Sequence, residues 1–517
     1  MPDYAARPGY YCNPVIHADY SDPDIVHVGS DFYMVSSSFN HFPALPVLHS
    51  RDLVNWQIIN HVFSNFDNST YDTVQPGKGV WAPSIRYHNG KFWVFFSTPD
   101  EGIFMSFTDD PRGQWSTPHC LKKAQGWIDP CPLWDADGRA WLVHAFAHSR
   151  SGKKHQLQLV EMSPDGRSLL DEGQIIYDGA LDQPTLEGPK FTKRNDWYYI
   201  FAPAGGVETG WQAVLRARNL SGPWEARVLL QQGKTSVNGP HQGGYVELEN
   251  GECWFVHFQD ADLYGRIVHL QPMHWQEDDW PRLGVEHNAQ GIGQPAMEHV
   301  LPSVAQHPQG FQCPQTSDDF PEGRPGLQWQ WQAHPQPHWL QQTAEGHLTL
   351  SCVPMPEYQG RLALYAQPNL LLQKFPAREF SATTCLNAGL QQQGEMSGLI
   401  VYGERYATLA LEQRAGQLIL ILHSAWMSDS GILHQQQRDI TDWPTTTPLW
   451  LRVKVAAGGL CWFSYSGNGA EWHEVTPHFA AGKGKWVGAK LGIFAASRSS
   501  GDPAGKAYYS HFHVEIK

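Results

Sequence analysis

Two aspartates, a glutamate, a histidine and a tryptophan occupy nearly the same place in five successive segments of a 517-residue chain. Asp22 lies in YSDPDIV, Trp81 opens WAPS, Asp129 sits in GWIDPCP, Glu187 in PTLEGPKF and His241 in NGPHQGG. Each stands ten to twelve residues ahead of a position in an aromatic, strand-like run: Phe32, Phe92, Ala140, Trp197 and Cys253. Taken singly, an aspartate beside a proline is a turn former, and Asp24 in the same run is expected to be one. Taken together, the three carboxylates suit glycosidic cleavage, which needs an acid to protonate the leaving oxygen and a base to activate water. Glu187, among apolar neighbours and near two other carboxylates, is expected to have a raised pKa and to serve as the acid. Asp22 is expected to stay ionised as the base, with Asp129 raising and orienting the acid. An acid and a base standing roughly 6.5–9.5 Å apart leave room for the water and invert the anomeric centre. Phe39 and Trp81 are candidates for the apolar wall of a sugar subsite. Arg266, in DLYGRIVHLQ, is a candidate to bind hydroxyls or to pair with a catalytic carboxylate. His241 is expected to hydrogen-bond Asp22 or a central water, or to bind a cation.

The elements that must position these residues form a repeat. DFYMVSSS, KFWVFFST, RAWLVHAF, DWYYIFAP and ECWFVHFQ start at Asp31, Lys91, Arg139, Asp196 and Glu252, spaced by 60, 48, 57 and 56 residues. A turn signal precedes each, among them Asn89-Gly90, Asp137-Gly138 and Asn250-Gly251, so each aromatic run is the second strand of a hairpin. Units of this length, each too small to bury its own faces, predict a five-bladed β-propeller over residues 1–305, whose equivalent positions converge on one axis. The alternative is a β-sandwich whose strands resemble one another by accident. Residues 306–326, rich in Pro, Gln and Gly, read as a linker. From 327 to 517 short alternating strands, from HLTLSCV to FHVEIK and including RLALYA, predict a second domain of two stacked sheets. The fold class is therefore all-β throughout.

Composition narrows the partners. A formal net charge of −14, with no Lys/Arg block, argues against nucleic acid or an anionic membrane surface. The start MPDYAARPGYYCNP has no secretion-signal pattern, and eight scattered Cys without a CxxC pair fit reduced thiols, so a cytoplasmic location is expected. Zincin, nucleophile-elbow, Walker and Rossmann motifs do not occur.

The runs NPVIHADYSDPDIVHVGSDFYMVSSSF, WAPSIRYHNGKFWVFF, GWIDPCPLWDADGRAWLV, LEGPKF and GPHQGGYV closely resemble glycoside hydrolase family 43. The second domain resembles the jelly-roll, concanavalin A-like domain of that family's β-xylosidase branch. The resemblance implies Asp22 as general base, Asp129 as pKa modulator, Glu187 as general acid, and His241 and Arg266 as active-site residues. It implies an exo-acting inverting β-1,4-xylosidase on xylo-oligosaccharides. The alternatives are an α-L-arabinofuranosidase or bifunctional enzyme on arabinosyl substrates, and a sugar-binding protein without catalysis. No cofactor is required; a Ca2+ in the propeller channel beside the histidine and a homo-oligomer are compatible with the resemblance. Two departures stand out. Where the family carries a stretch like FTGAFVG that sends a phenylalanine into the pocket, this chain has WVGAKLG, putting Trp486 in that place with Lys490 nearby. Where relatives hold sandwich calcium through an aspartate, this chain has Ser510.

Overall fold

The computed structural model describes residues 7–305, 313–341, 346–499 and 501–517. Its N-terminal part is a five-bladed propeller, each blade an antiparallel sheet of four consecutive strands. The five aromatic runs are the second strands: Asp31–Val35, Lys91–Thr98, Ala140–Phe146, Trp197–Ala204 and Cys253–Asp260. The first strands, Asp24–Val28, Trp81–His88, Trp127–Trp134, Lys190–Arg194 and His241–Glu247, are innermost.

Side-chain alternation explains why the second strands are apolar on both faces. Phe92, Val94 and Phe96 pack with Val35 and Val47 of the first blade. Trp93 and Phe95 turn the other way, toward Ala140 and Leu142 of the third. Every strand of this kind thus fills two inter-blade layers, and the ring closes where Phe32 and Met34 meet Trp254 and Val256.

Closure is reinforced by the N-terminal segment, which runs back across the fifth blade. Tyr10–Cys12 pairs antiparallel with Glu298–Val300, and Ile16 bridges to Val268. Asn13, 3% exposed, donates from Nδ2 to the carbonyls of Leu270 and Ala296, both at 2.7 Å, and accepts from the Leu270 N–H at 2.8 Å.

The C-terminal part is a β-sandwich. One sheet orders Gln330–Trp331, Leu371–Lys374, Lys490–Ser497, Glu395–Tyr402, Arg405–Arg414, Gln417–Met427 and Leu433–Trp443, with Val353–Pro354 parallel to Lys490–Ser497. The facing sheet runs from Leu340–Gln341 to His473–Ala480, with Lys506–Ile516 and Phe380–Gly389 near its centre.

Three sequence expectations change. Within RLALYA only Arg361–Leu362 is strand; Leu364–Ala366 forms a 3-10 turn that buries Leu364 and Tyr365 against Tyr406. Of the stretch expected as a linker, 306–312 lie outside the described residues, while Asp318 already bridges Phe512 and Phe320 is buried in the sandwich core. Leu433–Trp443 lacks clean apolar alternation because it is an edge strand, exposed along much of its length.

The two domains interlock. Phe42 and Trp331 exchange backbone hydrogen bonds of 3.0 and 2.6 Å. The tip of the fifth blade, after Cys253–Asp260, inserts Leu263 into the sandwich core, and the Tyr264 hydroxyl donates to the Arg378 carbonyl at 3.0 Å.

Replacing Asn13 by Ala strips three buried partners at once and is expected to destabilise the propeller by about 3 kcal/mol. A fall in the guanidinium midpoint without loss of the far-ultraviolet β signal in buffer is the outcome that checks it.

Candidate functional site

The five residues of the repeat lie at or near the starts of the innermost strands, and local backbone irregularity turns them toward the axis. Strand pairing shifts register between Trp81 and Ser84, between Ile128 and Cys131, and between His241 and Gly243. A bulge of this kind re-aims a side chain at the rim of a sheet. Asp22, Phe39, Asp129 and Trp486 all have positive φ, between 51° and 64°. Non-glycine residues seldom adopt that conformation, and its concentration here marks a site held by its surroundings.

Asp22 is 6% exposed and fully engaged. Oδ2 accepts from the Ser21 hydroxyl at 2.7 Å and the Ser37 hydroxyl at 2.6 Å, and Oδ1 faces Arg266 Nη1 at 3.4 Å. The same Arg266 nitrogen donates to Ser21 Oγ at 2.8 Å, so the guanidinium, the hydroxyl and the carboxylate form one network. Asp129 is 3% exposed and accepts from the Gly188 N–H at 2.8 Å, which brings it beside Glu187. Glu187 is more open, with its side chain 28% exposed. Its Oε1 lies 2.9 Å from His241 Nε2. That partner replaces the expected contact of His241 with Asp22: the histidine enters the axis beside the glutamate.

Around the carboxylates stand the aromatic residues. The Phe39 and Trp81 rings are 6.3 Å apart, near edge to face, and the buried Trp81 Nε1 has no hydrogen-bond partner among the described residues. Trp486 is 43% exposed on a sandwich loop, with the Arg266 guanidinium 5.9 Å from its ring. Lys490 does not join this rim. It opens the strand Lys490–Ser497, lies opposite Lys374 and is 3% exposed, and burial pushes its pKa down to about 7.

Sequence reasoning missed several contributors. Ser21 directly precedes Asp22, and Ser37 lies near the end of the first aromatic run, but neither was singled out. Arg150, from a four-residue helix at His148–Ser151, places its guanidinium 5.4 Å from the Trp81 ring. Asp24 is not a turn former. It opens a strand, 1% exposed, and accepts from the Ile85 N–H at 2.8 Å and from Arg86 at 2.7 Å, joining the first and second blades.

A channel cation would need more donors than the site offers: among the described residues the buried His241 Nδ1 has no hydrogen-bond partner, one nitrogen where Ca2+ takes six to eight oxygens. Among the described residues no three His, Cys, Asp or Glu side chains gather to hold a metal ion. These side chains do not fit a protein-built calcium site.

Asp129 is the most deeply enclosed of the three carboxylates, and its pKa is raised. Burial first, then the charges of Glu187 and Asp22, push it up to about 8, against partial relief from the Gly188 N–H and Lys190. A carboxyl with a folded-state pKa above its unfolded value keeps a proton that the unfolded chain has released. Its contribution therefore lowers stability progressively as pH rises from about 4, the unfolded value, to about 8. Asp129→Asn is expected to flatten that fall and to be more stable than the parent at pH 8 by at least about 1 kcal/mol; denaturant titrations of both proteins at pH 5 and pH 8 measure the difference.

Comparison with known proteins agrees with this geometry. The model for "Glycosyl hydrolases family 43" matches residues 11–281, and that for "Beta xylosidase C-terminal Concanavalin A-like domain" matches 317–515. The chain is 38% identical over 489 residues to the "Putative beta-xylosidase" of Xylanibacter ruminicola, covering 94% of this chain and 86% of that one. It is 27% identical over 433 residues to a non-reducing end alpha-L-arabinofuranosidase of Bacteroides ovatus, covering 79% and 77%. The crystal structure of a xylan beta-1,4-xylosidase from Bacillus halodurans C-125 superposes with a TM-score of 0.84 at 23% identity, over 98% of this chain and all of that one, which shows the shared fold. With both domains matched, in order and over nearly their whole length, this chain belongs to glycoside hydrolase family 43 and is a glycoside hydrolase.

Proposed function

We propose that this glycoside hydrolase is an exo-acting, inverting β-1,4-xylosidase that releases xylose from the non-reducing end of xylo-oligosaccharides. The observation that carries the reading is the unequal surroundings of the outer carboxylates. Asp22 accepts from two hydroxyls and faces a guanidinium, which hold its acceptor oxygens in one orientation, as suits a base acting on water. Glu187 is partly open and shares a hydrogen bond with His241, so it can reach a leaving oxygen and exchange its proton.

Asp129, between them, stores a proton at neutral pH. With a sugar in the pocket, the proton held on Asp129 would pass to Glu187, and Gly188 N–H and Lys190 would support the charge left on Asp129. Asp22 then draws the proton from an attacking water as Glu187 protonates the departing oxygen. The Phe39–Trp81 wall would hold the terminal pentose, and Trp486 would meet the sugar on the leaving side.

The second reading, α-L-arabinofuranoside cleavage by the same carboxylates, is supported by the similarity to the Bacteroides ovatus arabinofuranosidase. The two readings differ in which pentose the aromatic wall accepts.

Hydrolysis of 4-nitrophenyl β-D-xylopyranoside, 4-nitrophenyl α-L-arabinofuranoside and xylobiose separates them. Xylobiose and xyloside turnover should dominate, and Glu187→Gln should lower kcat on xylobiose by about 10²–10⁴-fold. Dominant arabinoside turnover would move the substrate to the second reading. Initial release of α-xylose, observed by proton NMR, checks inversion; initial β-xylose would refute it.

A further inference from the structure

Asp19 lies three residues before the proposed base and is 4% exposed. Its two carboxylate oxygens reach opposite sides of the domain boundary. Oδ1 accepts the N–H of Arg266 in the propeller at 2.9 Å, and Oδ2 accepts the N–H of Gly488 in the sandwich at 2.9 Å. Arg266 is the residue whose guanidinium meets Asp22. Gly488 stands two positions beyond Trp486. One buried side chain therefore holds the backbone that carries the Arg266 side chain and the loop that carries Trp486.

The surrounding backbone leaves little slack. Gly265 has φ +72°, and a Cβ there would fall 2.5 Å from Asp19 Cγ and 2.6 Å from Gly488 N. A Cβ on Gly488 would fall 2.7 Å from Gly265 N. The two chains thus touch backbone to backbone across the boundary, which only glycine permits. Neighbouring hydrogen bonds run the same way: Tyr20 N–H donates to the Arg266 carbonyl at 3.0 Å, and Ala489 N–H to the Leu263 carbonyl at 2.7 Å. Asp19 also supplies negative charge that opposes the effect of burial on Lys374 and Lys490 beneath the loop.

We infer that Asp19 is a positioning residue that couples the base side of the pocket, through Arg266, to the leaving-group side, through the Trp486 loop. The inference rests on the proposed pentosidase reading for its kinetic test, while its structural test stands apart. An amide in place of the carboxylate keeps one acceptor oxygen and turns a donor toward the other N–H, so Asp19→Asn releases one of the two arms.

The experiment compares the wild type with D19N, W486A and the double variant on a pentose disaccharide and on the corresponding pentosyl fluoride, whose small leaving group does not reach Trp486. D19N is expected to lower kcat/KM on the disaccharide at least tenfold, with part of the loss in KM, and to lower it less on the fluoride. D19N and W486A should be less than additive on the disaccharide. Equal losses on both substrates, confined to kcat and additive with W486A, would mean only a reduced active fraction and would overturn the inference. If D19N is not recovered folded, Gly488→Ala, which displaces the loop with Asp19 intact, should show the same disaccharide-selective loss; selectivity absent there overturns it as well. Hydrogen exchange of the ligand-free proteins decides the matter even if wild type cleaves neither pentoside: peptides spanning 263–268 and 484–490 should exchange faster in D19N, and unchanged protection in both would refute the coupling.

Discussion

Mutual repulsion among three carboxylates on one axis is the constraint around which this molecule is arranged. Asp22, Asp129 and Glu187 approach closely enough for the first and last to act on the second, yet the network gives them a single direct guanidinium partner, Arg266 on Asp22. Bringing like charges together in a water-poor place disfavours ionisation, and the least solvated group keeps its proton. Asp129 is that group, raised to about 8. The other two carboxylates differ in their surroundings, one set among hydroxyls and a guanidinium, one open beside an imidazole. The arrangement lowers stability near neutral pH, and the rest of the fold must be rigid enough to offset it.

A propeller supplies that rigidity cheaply in sequence terms. Each second strand is apolar on both faces, so the inter-blade layers form a closed ring of packed side chains with no free edge at the centre. The innermost strands then line the axis, and side chains at irregular positions near their starts can turn toward it. The bulges near Trp81, Ile128 and His241 and the left-handed Asp22, Phe39 and Asp129 are departures from regular strand geometry that the packed ring holds in place. Asp24, paired with Arg86 across the first two blades, belongs to this supporting layer although it stands two residues from the proposed base.

This division explains what could be read in the sequence. Repetition is visible along a chain, so the five aromatic strands, their turns and the convergence of Asp22, Trp81, Asp129, Glu187 and His241 were legible from spacing alone. Arg266 and Trp486 lie outside the repeat: Arg266 was a candidate from its setting in DLYGRIVHLQ, and Trp486 was reached through family resemblance. Pairings that depend on side-chain reach were not legible: nothing in NGPHQGG shows that His241 turns to Glu187 rather than to Asp22, and nothing in YSDPD separates Asp22 at the axis from Asp24 between blades. Relative burial was also hidden, because Glu187 and Asp129 have equally apolar neighbours in sequence and differ only in how the ring encloses them. The edge strand Leu433–Trp443 escaped because exposure on both faces removes the alternation by which strands are recognised.

The sandwich follows from the same constraint. A pocket formed solely by loops at the mouth of a ring would leave Arg266 on a hairpin shoulder, free to move with the tip that precedes it. Here that tip is buried elsewhere: Leu263 enters the sandwich core, Tyr264 is hydrogen-bonded to Arg378 and Gly458, and Gly265 lies against Gly488. The second domain thus fixes the approach of the main cation to the proposed base, while its own loop brings Trp486 to the rim. A larger ring than phenylalanine at that place fits this anchoring, because Trp486 is half exposed, in a left-handed conformation, and braced where it passes Gly77; a Cβ on that glycine would lie 2.9 Å from the indole Cδ1. On the proposed reading, substrate selection at the leaving side is a property of the domain boundary, set by the glycines that allow the approach and the carboxylate that spans it.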